Sequence, residues 1–309
     1  MINIFNLFHK KKDAAPEAPK TPLGKRLLTL LLHAAIVLLV LVIILAVGVF
    51  LYARYTKTNY HITFYQETSK KVSQNIRFAV ISDLHNREYG KENETLISDL
   101  RALAPDFILF AGDTVTKTDE HYEPMLELVS RLSQFAPCYG VLGNHESERI
   151  YYHDDKDLPK KFENAGLKLL RNSQELIRVG ADTIQLIGVE GTSYGFEEYG
   201  GRKFMDQLTV DPSAYSILAT HIPILFDKQL TDYSFDLGIA GHVHGGLIRI
   251  PKFGGLYSAE EGFFPTYCAG RMTLSNQSPL IISRGMGDSS PYPRINNMPE
   301  LVVVDINCY

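Results

Sequence analysis

The sequence predicts an α/β protein with two packed β-sheets and helices outside, preceded by one helix that crosses a membrane. Three observations predict it. A run of 25 residues without a formal charge, Leu27 to Leu51, stands near the start. Short apolar runs then alternate with helical stripes in the order β-α-β-α-β, which implies parallel strands. The second half is richer in strands than in helices, and two sheets accommodate them better than one very wide one.

At about 1.5 Å per residue, the uncharged run can cross a bilayer core of about 30 Å with some tilt. A buried core helix is rarely apolar all round at this length, and the apolar region of a cleaved signal peptide is normally about 7 to 15 residues. The run, bounded by Arg26 and Arg54, therefore reads as an uncleaved transmembrane anchor over residues 27–53. His33, inside one end, is expected neutral and near the headgroups. Residues 1–26 read as a flexible basic tail with Pro16, Pro19 and Pro22; they sum to +4, leaving −8 for the rest of a chain of net charge −4. Six basic residues precede the anchor, against Arg54, Lys57, Lys70 and Lys71 soon after it. That bias expects a single-pass protein of the cell membrane, with the amino terminus cytoplasmic and the main body outside. Residues 54–73, polar and rich in tyrosine, read as an interfacial stem, and the folded domain is expected over residues 74–309.

An acidic body argues against binding a nucleic-acid backbone, because that affinity comes from clustered Lys and Arg. A small phosphorylated ligand stays open. Cys138, Cys268 and Cys308 are an odd number without metal-type spacing and give no disulfide framework.

Within the domain, Ile76 to Ile81 is a buried strand candidate. Leu96, Ile97, Leu100 and Leu103 then mark one helical face, ended by Pro105. Phe107 to Phe110 is a second strand, Met125, Leu126, Val129 and Leu132 a second helical stripe, and Cys138 to Leu142 a third strand. Later strands are expected at Leu167–Leu170, Leu176–Val179, Ile184–Val189, Tyr215–Thr220, Leu237–Ala240, Leu247–Ile250, Leu280–Ser283 and Leu301–Ile306. Only the Asp154–Ala165 and Glu197–Leu208 regions look helical among them.

Five of these strands run directly into polar side chains. Asp83 and His85 follow the first, Asp113 the second, and Asn144 and His145 the third; His221 follows Tyr215–Thr220, and His242 and His244 follow Leu237–Ala240. In open α/β sheets, strand ends along one edge are where ligands sit. His242 and His244 stand two apart between glycines; in an extended segment both rings would face one spot.

Taken in order, the blocks Asp-x-His, Gly-Asp, Gly-Asn-His-Glu, a lone His and Gly-His-x-His resemble the calcineurin-like metallophosphoesterases over about residues 76 to 306. The stretch Gly241 to Gly270, with Gly254-Gly255-Leu256-Tyr257 and Gly262-Phe263-Phe264-Pro265, looks like the membrane-associated bacterial branch, as do Ser283-Arg284-Gly285 and Pro299-Glu300. The resemblance implies a four-layer α/β/β/α sandwich, which the order of elements also supports. Carried over by position, it implies two divalent metal ions. Asp83, His85 and His244 would hold the first, and Asn144, His221 and His242 the second. Asp113 would bridge them, since a carboxylate has two oxygens to share. Mixed nitrogen and oxygen ligation suits manganese, zinc or iron and is poor for calcium. The implied reaction is hydrolysis of a phosphoester or pyrophosphate bond by a hydroxide bridging the ions, with His145 contacting phosphate and protonating the leaving alkoxide.

Two departures stand out. Many relatives read Gly-Asp-x-x-Asp, whereas Thr116 takes the second carboxylate's place, which puts the tuning of His145 in doubt and leaves Glu146 as a possible substitute. Leu247 follows Gly245-Gly246 where the membrane-associated branch commonly has Gln. Arg249 and Arg284 could clamp phosphate or make ordinary surface pairs, and His61, His121 and His153 read as bland loop or stem residues. The anchor suggests a lipid-linked substrate. Phe253, Leu256, Phe263 and Phe264 could then meet acyl chains, core packing being the simpler expectation. A non-catalytic membrane scaffold on the same fold is the alternative, and it would be marked by lost ligands; a metalloprotease finds no His-Glu-x-x-His.

Overall fold

Strict alternation in the strands decides the layering. In a computed structural model that describes residues 22–118, 120–191, 195–290 and 292–309, Phe78 and Val80 of β2 (Ile76–Ile81) face one way, and Ala79 and Ile81 the other. Phe78 and Val80 join a core that also takes Phe107, Leu109, Leu186, Ile217 and Ile239, and this core lies between two sheets. Ala79 and Ile81 join Leu96, Leu100, Met125 and Phe162 beneath α2 (Glu94–Leu103), α3 (Glu123–Leu132) and α5 (Leu158–Asn164). A third cluster, with Ile187, Leu218 and Leu280, packs under α6 (Gly201–Gln207) and α7 (Ile224–Lys228). The result is the α/β/β/α sandwich expected.

Among the described residues each sheet has six strands. The first combines β2 with β1 (His61–Ser69), β3 (Phe107–Ala111), β4 (Cys138–Val141), β5 (Leu167–Leu169) and β16 (Glu300–Cys308), in the order β1-β16-β2-β3-β4-β5. The run β2, β3, β4, β5 is parallel, as the β-α-β-α-β reading requires. The second sheet is β14-β15-β9-β8-β7-β6, from β6 (Ser173–Val179), β7 (Asp182–Gly188), β8 (Tyr215–Ala219), β9 (Leu237–Ala240), β14 (Gly270–Thr273) and β15 (Pro279–Ile282). Between β9 and β14 lie two small ribbons, β10 (Arg249–Ile250) with β11 (Gly254–Gly255), and β12 (Tyr257–Ser258) with β13 (Gly262–Phe263).

Several elements depart from expectation. Residues 61–69, read as part of a stem, are strand β1, parallel to β16 along its whole length from His61↔Glu300 to Ser69↔Cys308. Its mixed polar and apolar sequence is that of an edge strand with one half-exposed side, so it lacks the clean apolar signature. α4 (Asn144–Tyr152) begins directly at the Gly-Asn-His-Glu block and was not foreseen. Around Gly241–Gly246 the chain is a tight turn ending in a short 3-10 helix, not an extended segment.

The chain divides into two units, Met1–Phe50 and Leu51–Tyr309. In the first, α1 (Leu23–Thr58) begins; it is the one helix among the described residues long and apolar enough to cross a membrane, with mean hydropathy 3.4 in its most apolar window. The helix runs past Ala53, so residues 54–58 continue it. Most of the basic tail expected over residues 1–26 lies outside the described residues.

Candidate metal centre

The predicted side chains converge because the five strand ends share one rim of the sandwich, and three of them run into left-handed turns. Asp83, His85, Asp113, His242 and His244 all have left-handed backbones, with φ between 50° and 73°. Non-glycine residues rarely adopt this conformation, and such strain concentrates at functional sites. Close approach demands the adjoining glycines. A Cβ on Gly143 would lie 2.1 Å from Asp113 Oδ1, and one on Gly241 would lie 1.9 Å from Ser82 Oγ.

Asp113 is the hub. Its Oδ1 accepts a hydrogen bond from the His145 backbone N–H at 2.8 Å. Its Oδ2 faces three imidazole Nε2 atoms, of His221 at 3.1 Å, His85 at 3.7 Å and His145 at 4.0 Å. Oδ2 is thus the oxygen that lies among the imidazoles. On one side, His85 Nε2 and His244 Nε2 lie 3.3 Å apart, and His244 Nε2 is 3.5 Å from Asp83 Oδ1. On the other, His242 Nδ1 and His221 Nε2 lie 3.3 Å apart. Three groupings among the described residues, Asp83 with His85 and His244, Asp113 with His221 and His242, and His85 with Asp113 and His145, could each hold a metal ion.

Chemistry and burial fit that use. Asn144 Oδ1 is buried without a hydrogen-bond partner, an expensive arrangement unless a cation takes the lone pair. Burial, reinforced for His244 by neighbouring His85, pushes the pKa values of both imidazoles down, so they stay neutral with a lone pair to offer. Burial opposes the charge on Asp113, but facing His221, His85 and His145 outweigh it and hold its carboxyl well below the usual range. Desolvation raises Asp83.

The outer nitrogens are also fixed. His221 Nδ1 meets Ala111 O at 2.7 Å, and His244 Nδ1 lies 3.2 Å from Gly287 O, which buried Arg294 also engages. His242 Nε2 lies 2.7 Å from Glu260 Oε1. Glu260 escaped the sequence reading, because it sits in the β12–β13 loop outside every block, and nothing in its neighbours' pattern marks it. Glu146, considered as a support for His145, does something else. Its carboxylate accepts from the backbone N–H groups of Asp113, Val115 and Gly143 at 2.8 to 2.9 Å and so staples two site loops together. His145 Nδ1 instead accepts the Lys117 backbone N–H at 3.0 Å.

A cleft of about 270 Å³ opens over the centre, lined by Asp113, Asn144, His145, His242, His244 and Glu260 among others, with Leu247 and Tyr257 in its wall. Neither Arg249 nor Arg284 lines it. Arg284 pairs with Glu300 at 3.2 Å, and Arg249 donates to Gly245 O.

Residues 76–246 match the family model for calcineurin-like phosphoesterases. The chain belongs to that family. The His/Asp groupings above all lie within the matched residues. Among relatives, an uncharacterized metallophosphoesterase of Campylobacter jejuni, Cj0846, is 29% identical over 76% of this chain and 60% of its own length. This chain thus matches about three fifths of that protein. Uncharacterized metallophosphoesterase YkuE of Bacillus subtilis is 27% identical over 72% of this chain and 76% of its own. Phosphodiesterase YaeI of Escherichia coli is 24% identical over 73% and 80%.

Proposed function

We propose that this phosphoesterase is anchored in the cell membrane by α1, with its catalytic domain on the extracytoplasmic side, and hydrolyses a phosphoester or pyrophosphate bond of a phosphorylated, lipid-linked substrate. The observation that carries the reading is Asp113 Oδ2 among the Nε2 atoms of His85, His145 and His221, with Asn144 Oδ1 left unpartnered beside them. Asp83, His85 and His244 would hold one divalent ion, Asn144, His221 and His242 the other, and Asp113 both. Manganese, zinc and iron suit this donor set. When bound, the ions would supply Lewis acidity toward the phosphoryl oxygens and an activated water.

The chain's own groups do the rest. Two aspartates would leave a pair of divalent ions under-neutralised, so the loaded cleft would favour an anion. Lys117 N–H occupies His145 Nδ1, so the neutral ring carries its proton on Nε2, the atom turned toward Asp113 and the cleft. From there it would donate a hydrogen bond to the phosphoryl or leaving-group oxygen, keeping its own proton. A relative named a phosphodiesterase supports including diesters among the substrates.

The test is metal-dependent turnover by the full chain in detergent micelles and in vesicles. A phosphodiester, a phosphomonoester and a nucleotide-lipid pyrophosphate would each be followed with chelator and with added manganese, zinc or iron. Turnover removed by chelation and restored by one metal supports the reading. Two bound metals with no hydrolysis of any substrate, soluble or lipid-borne, would sink it.

A further inference from the structure

Beside the cleft, the two small ribbons hold aromatic rings out into solvent. Phe253 and Phe263 are each 72% exposed, Phe264 53% and Tyr257 52%. Core packing, the simpler expectation for Phe253, Phe263 and Phe264, is not what they do, whereas Leu256, expected with them, is half-buried. The rings gather in two pairs, Phe253 with Phe264 at 6.2 Å between centroids and Tyr257 with Phe263 at 5.5 Å. Backbone bonds fix the presentation: Phe253 N–H donates to Ile250 O at 3.0 Å, and Phe264 N–H to Leu256 O at 2.9 Å. Clustered rings left in water forgo about 25 cal/mol for each Å² they could bury, so a patch this regular marks an interaction surface.

The charges of the same segment narrow the partner. Both acids turn inward: Glu260 engages His242, and Glu261 accepts from the Thr266 and Tyr267 N–H groups at 3.0 and 2.9 Å. Lys252, next to Phe253, is exposed. Aromatic rings with a neighbouring cation and no outward carboxylate match a lipid interface, where rings sit at headgroup depth and lysine meets anionic phosphates. The chain also carries an apolar helix, α1, whose most apolar window is wholly unburied.

We propose that Phe253, Phe263 and Phe264 form a second membrane contact, docking the cleft onto the bilayer surface so that Tyr257, shared by patch and cleft, borders the path of a lipid phosphate. This rests on the membrane-anchored phosphoesterase reading and supplies its substrate class, a phospholipid presented from the bilayer.

The chain contains no tryptophan, so Phe263→Trp introduces a single indole, and Leu176→Trp, at a position on β6 that is 56% exposed, gives a control. The full chain is reconstituted into vesicles of phosphatidylcholine and phosphatidylglycerol. Emission from the Phe263→Trp indole is expected to be blue-shifted and quenched by lipids brominated along the acyl chain, while the Leu176→Trp indole is quenched only by aqueous acrylamide. Equal acrylamide quenching of both, without bromolipid quenching, overturns the proposal. A blue-shifted indole at 263 that bromolipids leave untouched also overturns it, in favour of a second copy or a protein partner. In a separate arm, the triple variant Phe253→Ser/Phe263→Ser/Phe264→Ser should keep its rate on a water-soluble ester and lose about tenfold or more on vesicle phospholipid. Equal loss on both would overturn docking as the cause. Should the parent chain turn over neither, the phosphoesterase reading fails while the fluorescence still decides the docking.

Discussion

Glu260 Oε1 lies 2.7 Å from His242 Nε2, and this contact turns the ring so that its Nδ1 faces His221 across the metal centre. A carboxylate behind a ligand-type histidine fixes the tautomer and strengthens the ring as a donor. Burial resists the charge on Glu260, but the hydrogen bond from His242 prevails and lowers its pKa, so the carboxylate is the form present at neutral pH. Glu260→Ala should weaken one of two metals by roughly 10- to 100-fold and leave the other tight, read as stoichiometry in a metal titration. Glu260→Gln, which keeps a hydrogen-bond acceptor, should recover part of that affinity. Two equally tight sites in Glu260→Ala would dismiss the contact as incidental.

His145 gives a different signature. Its Nδ1 is occupied by the Lys117 N–H, so the work falls to Nε2. His145→Ala should bind both metals normally and lose about 10²- to 10⁴-fold in kcat. The loss should be larger for an alkyl phosphoester than for a nitrophenyl one, since a good leaving group needs less help from a donor. A uniform loss across leaving groups would remove His145 from that role.

Glu146→Ala should be a folding defect before it is a catalytic one. Its fully buried carboxylate holds three backbone N–H groups, and stranding each costs on the order of 1–3 kcal/mol. The variant should melt well below the parent in a thermal scan, or fail to accumulate. A parent-like Tm with normal metal binding would show that the two loops hold without it.

The sheet edge supplies a truncation test. β16 pairs with β1 on one side and β2 on the other, so a fragment starting at residue 74 exposes the full β16 ladder as a new edge. It also loses Tyr60 and Ile62, which pack against the helical core. Such a fragment should aggregate, or melt at least about 5 °C below one starting at residue 59. Equal melting of the two would make β1 dispensable.

How much of this was legible follows from where the information sits. Five blocks of residues that each end a strand carried both the parallel order of β2, β3 and β4 and the gathering of Asp83, His85, Asp113, Asn144, His221, His242 and His244, because local alternation and local chemistry coincide there. β1 was hidden because an edge strand with one half-exposed side resembles a polar linker. Glu260 and the Lys117 N–H were hidden for another reason: a contact across 18 or 28 residues, one of them through a backbone group, leaves no trace in spacing. The geometry of His242 and His244 was anticipated for the wrong cause. They face one cleft through left-handed turns, with φ of 73° and 50°, rather than by strand alternation.

Asp113→Asn tests the centre itself. Asp113 Oδ2 lies among the His221 and His85 Nε2 atoms, while Oδ1 accepts the His145 N–H, so the carboxylate stands where it would contact both proposed metals. An amide in its place keeps the shape but removes the charge, and it sets either a donor NH₂ or a weaker carbonyl oxygen among three imidazoles. Both metal affinities should fall together, in contrast to Glu260→Ala, and turnover should drop to the uncatalysed background. Thermal stability in chelator should fall at neutral pH, because a carboxyl whose pKa folding lowers stabilises the fold when ionised, and its removal leaves buried His221 without the carboxylate that raises its pKa to about 10. Loss of one metal alone would assign Asp113 to a single site, and unchanged turnover would reject the bridge.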